Sequence, residues 1–273
     1  MKQKFLFLIL FIFLYESPLF AEDKYTFTQF ANETVDFVVQ PVKWTGDDYL
    51  KIGLITAGTV AVTFADQPFR NMEQKVTGSK NTILMEGGRW YGELFSPCAF
   101  FGGFAVFSLI TGDVWSRKVA YEIGQASLYG GGLVFILKTA IGRARPYTDR
   151  GPGTYRPFLS IFNQEYHSLP GGHSTAATII STVLSRNVKP VWLKILFYAP
   201  AVITMISRAY QDQHWASDNV LGAAIGFYIA TWCVDKHEKP DTKDTGQSLM
   251  DRIQLQPMIM GNIYGLNLSI RLF

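Results

Sequence analysis

Six apolar segments constrain this chain more than anything else in it. They run at about 49–65, 94–111, 119–138, 174–186, 190–207 and 218–235, with few charges inside them. Several are at or below the length of a full bilayer span, and Pro97 and Pro200 interrupt two of them. Apolar residue types make up 48% of the 273 residues and charged types 17%, a poor charge content for a soluble domain. The net charge of +3 and the absence of a basic run give no reason to expect nucleic acid as a partner. Cys98 and Cys233 both fall inside apolar segments and read as buried free thiols.

Three polar clusters bracket these segments. Lys138-Thr139-Ala140-Ile141-Gly142-Arg143-Ala144-Arg145-Pro146 ends the third segment, with two cations about a last helical turn and Pro146 as a stop. Taken alone, those cations could equally cap a helix C-terminus. Ser168-Leu169-Pro170-Gly171-Gly172-His173-Ser174 leads into the fourth segment. Its two glycines leave backbone amides open, a beginning for an anion site at a helix N-terminus, or else a plain loop. Ser207-Arg208 through His214-Trp215-Ala216-Ser217-Asp218 leads into the sixth. His214 and Asp218 are four residues apart and can share a helix face, where a carboxylate would fix the imidazole tautomer. Ordinary helix capping by Ser217 and Asp218 is the plainer alternative.

Together the clusters resemble the three-part signature of the type 2 phosphatidic acid phosphatase superfamily. Its first motif is Lys, six residues, Arg-Pro, matched by Lys138 through Arg145-Pro146. Its third is Ser-Arg, five residues, His, three residues, Asp, matched by Ser207-Arg208, His214 and Asp218. Its second, Pro-Ser-Gly-His, appears as Pro170-Gly171-Gly172-His173, with Gly171 in place of Ser. The resemblance covers roughly 49–235 and implies an all-α, six-helix, membrane-embedded bundle with the motifs clustered at one end.

The resemblance also implies a reaction. Lys138, Arg145 and Arg208 would neutralise a phosphate, aided by the amides at Gly171 and Gly172. His214, oriented by Asp218, would attack phosphorus and form a phosphohistidine. His173 would protonate the leaving oxygen and then activate water. No metal or other cofactor is expected, and vanadate should inhibit. The missing Ser hydroxyl at Gly171 should cost about 1 kcal/mol of phosphate binding, roughly fivefold.

The implied substrate is a lipid phosphate or pyrophosphate: phosphatidic acid, phosphatidylglycerol phosphate, undecaprenyl pyrophosphate or a lipid A phosphate. Two other readings stand beside it. One is a soluble periplasmic acid phosphatase or a haloperoxidase using vanadate as cofactor, since these share the anion site. The other is a non-enzymatic membrane protein that keeps the frame.

The remaining segments set the expected organisation. Residues 1–21 read as a secretory signal, with Lys2 and Lys4, then an apolar stretch, then a cleavage region ending at Ala21. Leu19 is a poor cleavage-site residue, which leaves an uncleaved anchor as the alternative. Residues 22–48 read as an interfacial or covering segment, 49–236 as the phosphatase core and 237–273 as a linker and tail. In the tail, apolar and polar residues alternate from Tyr264 to Leu272, and Gly261-Asn262 could turn a hairpin with Ile253 to Met260. Within 147–169, Tyr147, Arg150, Tyr155, Arg156, Phe158 and Tyr166 could shape access to the site or pack the loop. Glu165 and His167 read as loop residues.

Orientation rules disagree. Basic residues in 112–118, 186–194 and 236–243 put that face in the cytoplasm and the motifs in the periplasm. A cleaved signal followed by a span at 49–65 gives the reverse. The expected location is a bacterial cell envelope, in the membrane with the site facing the periplasm, with a soluble periplasmic protein as the alternative.

Overall fold

A computed structural model describes residues 24–75, 82–158 and 163–238, together with the backbone of 253–260 and 263–270. The expected signal at 1–21, most of the linker after 238 and the turn at Gly261-Asn262 lie outside the described residues.

Every one of the six apolar segments is helical. The helices are α1 (Phe27–Val39), α2 (Gly46–Thr63), α3 (Asp66–Gln74), α4 (Ile83–Gly92), α5 (Phe95–Thr111), α6 (Val114–Ile141), α7 (Gly172–Arg186), α8 (Val191–Leu196), α9 (Ala199–Tyr210) and α10 (Ala216–His237). Their starts follow from capping chemistry. Thr26, Thr82 and Asp113 accept from backbone amides three residues on, and Thr45 with Asp48 forms a capping box. The segment expected at 190–207 divides into α8 and α9, with Pro200 in the first turn of α9, where its missing N–H costs nothing.

The core forms around α7. Ile179, Ile180, Val183 and Leu184 pack between Val119, Ile123 and Ala126 of α6 and Ile229, Ala230, Cys233 and Val234 of α10. Between these apolar residues, α7 carries small hydroxyl side chains such as Ser174, Thr175 and Thr178, all buried. They permit close helix approach and hydrogen bonds between helices. Thr175 Oγ1 donates to the Gly222 carbonyl at 2.9 Å. Gly222 is required there, since a Cβ would stand 2.3 Å from the Gly171 carbonyl oxygen.

Outward faces are apolar. Leu54 and Val60 of α2, Phe107 and Ile110 of α5, Phe135 and Ile136 of α6, Trp192 and Ile195 of α8 and Val202 and Ile206 of α9 are all exposed. By length and composition, Val191–Tyr210 can cross a membrane, with a mean hydropathy of 1.3. Two bent pairs also qualify: α2 with α3 at 49° and α4 with α5 at 70°. α6 and α10 are 28 and 22 residues long, enough to span, but carry polar residues turned inward.

The segment before the first long helix is seated on the core. Phe37 of α1 stacks on Tyr129 at 4.3 Å between ring centroids, and Glu33 accepts from Gln125 Nε2 at 2.7 Å and Tyr121 Oη at 3.1 Å. His237, at the end of α10, lies 3.2 Å from Glu33 through Nε2 and 3.2 Å from Glu122 through Nδ1. In the tail, β1 (Ile253–Met260) pairs antiparallel with β2 (Ile263–Ile270) in the register Met260 opposite Ile263, as the alternation predicts. Two strands are too few to close a barrel.

Candidate active site

The site lies where α6 and α9 end and α7 and α10 begin. α6 stops at Gly142, which is left-handed with φ 60°, and a Cβ there would fall 2.0 Å from the Arg156 carbonyl oxygen. The chain then runs extended. Ala144 N donates to the Thr154 carbonyl at 2.9 Å and Arg156 N to the Gly142 carbonyl at 2.7 Å. Arg143 enters the interior, with no exposed surface, and Arg145 turns to a cavity.

That cavity has a volume of about 270 Å³. Its polar wall is made by Lys138, Arg145, Gly172, His173, His214 and Glu93. Its other wall is apolar, with Leu94, Pro97, Val134, Ala176 and Ile179. Lys138 donates to the His167 carbonyl and Arg145 Nε to the Gln164 carbonyl at 2.9 Å. Backbone oxygens of the loop before α7 thus aim both cations. Glu165 and His167 offer main-chain oxygens to Arg145 N and Lys138, and the Glu165 carboxylate pairs with Arg150 at 3.0 Å. Arg150 and Arg156 lie over Tyr166, at 5.0 and 4.9 Å from its ring centroid, so that part of the insertion is packed loop.

At the start of α7 the amides of Gly172, His173 and Ser174 fall outside the intrahelical ladder, and the helix dipole adds to their attraction for an anion. His173 and His214 face one another with ring centroids 5.9 Å apart. The Nε2 atoms of both are buried and have no hydrogen-bond partner among the described residues. His214 Nδ1 meets the Ser168 carbonyl at 2.8 Å. A carbonyl only accepts, so Nδ1 carries the proton and Nε2 keeps its lone pair. Burial, and after it the positive neighbours Lys138 and Arg145, push the His214 pKa well below 6.5.

Five of the sequence-predicted residues therefore share the cavity: Lys138, Arg145, Gly172, His173 and His214. Three stand behind it. Gly171 caps α7 and gives its N–H to the Asp218 carbonyl at 2.8 Å. Arg208 is buried; it donates to Ser207 Oγ at 3.2 Å and to the Gln211 side chain, while its Nε has no hydrogen-bond partner among the described residues. Asp218 does not bond His214 directly, since Oδ2 is 3.8 Å from Nδ1. Its oxygens are taken by Arg143 Nη1 at 2.7 Å, by Trp215 N at 2.8 Å and by the Ser168 hydroxyl. The carboxylate reaches the imidazole through Ser168, whose backbone oxygen holds the ring.

Sequence reasoning missed four contributors. Arg143 bridges Asp218 and Asp66, each at 2.7 Å, with all three side chains fully buried. Its position inside the first cluster was a signal; Asp66 offered none beyond closing an apolar segment. Ser168 and Glu93 could not be found from spacing. Among the described residues no three His, Cys, Asp or Glu side chains converge to hold a metal. The cavity's fixed charge is suited to an anion.

The family model of the PAP2 superfamily matches residues 122–240. A lipid A 1-phosphatase of Porphyromonas gingivalis is 33% identical over 118 residues, 42% of this chain and 23% of that protein. Lipid A 1-phosphatases of Rhizobium johnstonii and Rhizobium etli are 30% and 32% identical over 105 residues, 38% of this chain and 41% and 44% of theirs. The chain thus spans less than half the length of each of these relatives. The crystal structure of a transmembrane PAP2 type phosphatidylglycerolphosphate phosphatase from Bacillus subtilis superposes with a TM-score of 0.51. That match covers 74% of this chain and 99% of the other at 20% identity, and it shows a shared fold.

Proposed function

We propose, from the match of residues 122–240 and their three polar clusters to the family model of the PAP2 superfamily, that the protein hydrolyses a lipid phosphate monoester or pyrophosphate at the membrane. The observation that carries the reading is the His214–Ser168 contact. It fixes the tautomer and leaves a neutral Nε2 lone pair facing a second imidazole across a cationic cavity. Phosphoryl transfer needs an in-line nucleophile, neutralised equatorial oxygens and a protonated leaving group. His214 Nε2 supplies the first and becomes a phosphohistidine. Lys138, Arg145 and the first amides of α7 supply the second, with Arg208 behind them. His173 supplies the third, then takes a proton from the water that cleaves the phosphohistidine and releases inorganic phosphate.

The apolar wall of the cavity and the exposed apolar faces of α2, α5, α8 and α9 support a lipid substrate in a bilayer rather than a soluble phosphate ester. The names of the relatives support a lipid A phosphate as one candidate substrate. The basic residues at the opposite end of the bundle support a site facing the periplasm.

The test is phosphate release by the full chain in detergent from lipid A, phosphatidylglycerol phosphate, phosphatidic acid and undecaprenyl pyrophosphate. Turnover should persist in EDTA and stop with vanadate, since the fixed cations take the charge role of a metal. Release from none of the four, or vanadate-dependent halide oxidation instead, would overturn the reading.

A further inference from the structure

The proposed reaction leaves one charged residue of the cavity wall without a role. Glu93 is the single acidic side chain in the cavity wall among the described residues. It sits at the bend between α4 and α5, where the chain turns by 70°. Its Oε1 lies 3.4 Å from His173 Nε2, within ion-pair range. The fold builds this approach. Gly92, one residue earlier, is pressed against His173 so closely that a Cβ would stand 2.8 Å from the His173 carbonyl oxygen and 2.9 Å from its Cβ. Only a residue without a side chain lets the bend come so near.

Charge balance around His173 shows what this carboxylate does. From α6, the following loop and α9, the groups facing it are cations: Lys138, Arg145 and Arg208. Across the cavity is His214, neutral in the tautomer derived above. The other carboxylates nearby are committed elsewhere. Asp218 pairs with buried Arg143 at 2.7 Å, and Glu86 pairs with Arg89 at 2.8 Å. Arg89 Nη1 also stands 3.6 Å from Glu93 Oε1 and steadies it. An imidazolium amid three cations is unfavourable, yet a general acid must hold its proton before it can give it away.

Taking the proposed role of His173 as its basis, we infer that Glu93 is a positioning residue that keeps a proton on His173 Nε2, the ring nitrogen its carboxylate approaches. As the bond from His214 Nε2 to phosphorus forms and the ester P–O bond breaks, that proton passes to the departing oxygen. In the second step the attacking water returns a proton to the same nitrogen as the His214–phosphorus bond breaks. Glu93 touches neither phosphorus nor the leaving oxygen; it acts through the imidazole.

Leaving-group dependence tests this. An alkyl phosphate needs its departing oxygen protonated, whereas p-nitrophenyl phosphate expels a stable anion and does not. In the full-length protein, Glu93→Gln should lower kcat/KM for the lipid phosphate by about tenfold or more while changing p-nitrophenyl phosphate by less than about twofold. The alkaline limb for the lipid substrate should also move to lower pH, because removing the carboxylate makes the imidazolium easier to deprotonate. Glu93→Asp should recover part of the loss. Equal losses on both substrates, or an unmoved alkaline limb, would overturn the inference and make Glu93 a structural cap of the bend. His173→Ala is the control for the underlying reading. If that variant shows no leaving-group dependence, His173 is not the acid; if it does while Glu93→Gln does not, only the role of Glu93 fails.

Discussion

His214 Nδ1 is held by the backbone oxygen of Ser168 at 2.8 Å, and not by the carboxylate of Asp218 four residues further on. A backbone acceptor cannot titrate, so the neutral imidazole keeps the tautomer that exposes the Nε2 lone pair. The nearby cations and burial together keep that imidazole neutral.

The first prediction follows from that contact. His214→Ala should abolish turnover, with at least a thousandfold loss of kcat, while the protein still folds and binds vanadate weakly. Denaturing the wild-type protein at alkaline pH during turnover should trap acid-labile phosphate on His214. Because the folded-state pKa is displaced downward, protonation of His214 should not limit kcat/KM until well below pH 6.5. A pH–rate profile whose acid limb sits at 6.5 and vanishes with the remaining activity of His214 variants would contradict the neutral nucleophile.

Arg143 should be a stability residue rather than a catalytic one. It joins Asp66, the first residue of α3, to Asp218 on α10, with no water access to any of the three. Arg143→Met would leave two buried carboxylates without a cation. A loss of about 3–5 kcal/mol is expected, as for other broken buried pairs. Chemical denaturation in detergent measures it. Replacing Asp66 and Arg143 together should cost less than the sum of the single changes, because one uncompensated charge is removed.

How far the sequence could be read depended on whether a feature was periodic or positional. The helices follow from apolar segments and capping residues such as Asp113, so α2, α5, α6, α7 and α10 fall close to where the sequence places them. Lys138, Arg145, His173 and His214 come together because each ends or begins a helix at the same end of the bundle. Asp218 shows the limit. Spacing of four puts it on the His214 face, but it cannot show that Arg143 and Ser168 claim its oxygens first. Glu93 and Ser168 act through one side chain at a bend and one main-chain oxygen in a loop, and neither leaves a pattern in residue types.

A third prediction concerns the far end of the bundle. α10 has 22 residues, so His237 lies about 30 Å from the site. There Glu33 anchors α1 to α6 and α10. Against the cost of burial, hydrogen bonds from His237, Gln29 and Gln125 hold the Glu33 carboxyl down at about 2, from 4.5. A depressed carboxylate stabilises docking above its unfolded pKa and loses that contribution as pH falls through the folded one, so the window runs from 4.5 down to about 2. At neutral pH, Glu33→Gln should speed hydrogen exchange along α1 without changing phosphate release. Unchanged exchange would mean that Phe30 and Phe37 seat the helix alone.

The last prediction separates chemistry from crowding at Gly171. Its φ of −69° is open to any residue, so Gly171→Ser meets no backbone strain. The new Cβ would stand 3.0 Å from the Asp218 carbonyl oxygen, 3.1 Å from Asn219 Oδ1 and 3.2 Å from Ser174 Oγ. Those contacts lie on the α10 side, and Gly171 is not part of the cavity wall. The hydroxyl should therefore add little to phosphate binding: KM should change less than about threefold, with about 1 kcal/mol of stability lost to the tight fit. Gly222→Ala is the contrasting case. Its Cβ would meet the Gly171 carbonyl oxygen at 2.3 Å, and backbone on both sides leaves no flexible group to yield. The turn before His173 would have to move, and a shift of about 1 Å at a catalytic group can cost about a hundredfold in rate. Gly222→Ala should lose kcat far more than KM, while Gly171→Ser loses neither. A tenfold lower KM for Gly171→Ser with unchanged kcat would show instead that the hydroxyl reaches the phosphate, and that the turn admits the serine of the wider superfamily in its phosphate-binding role.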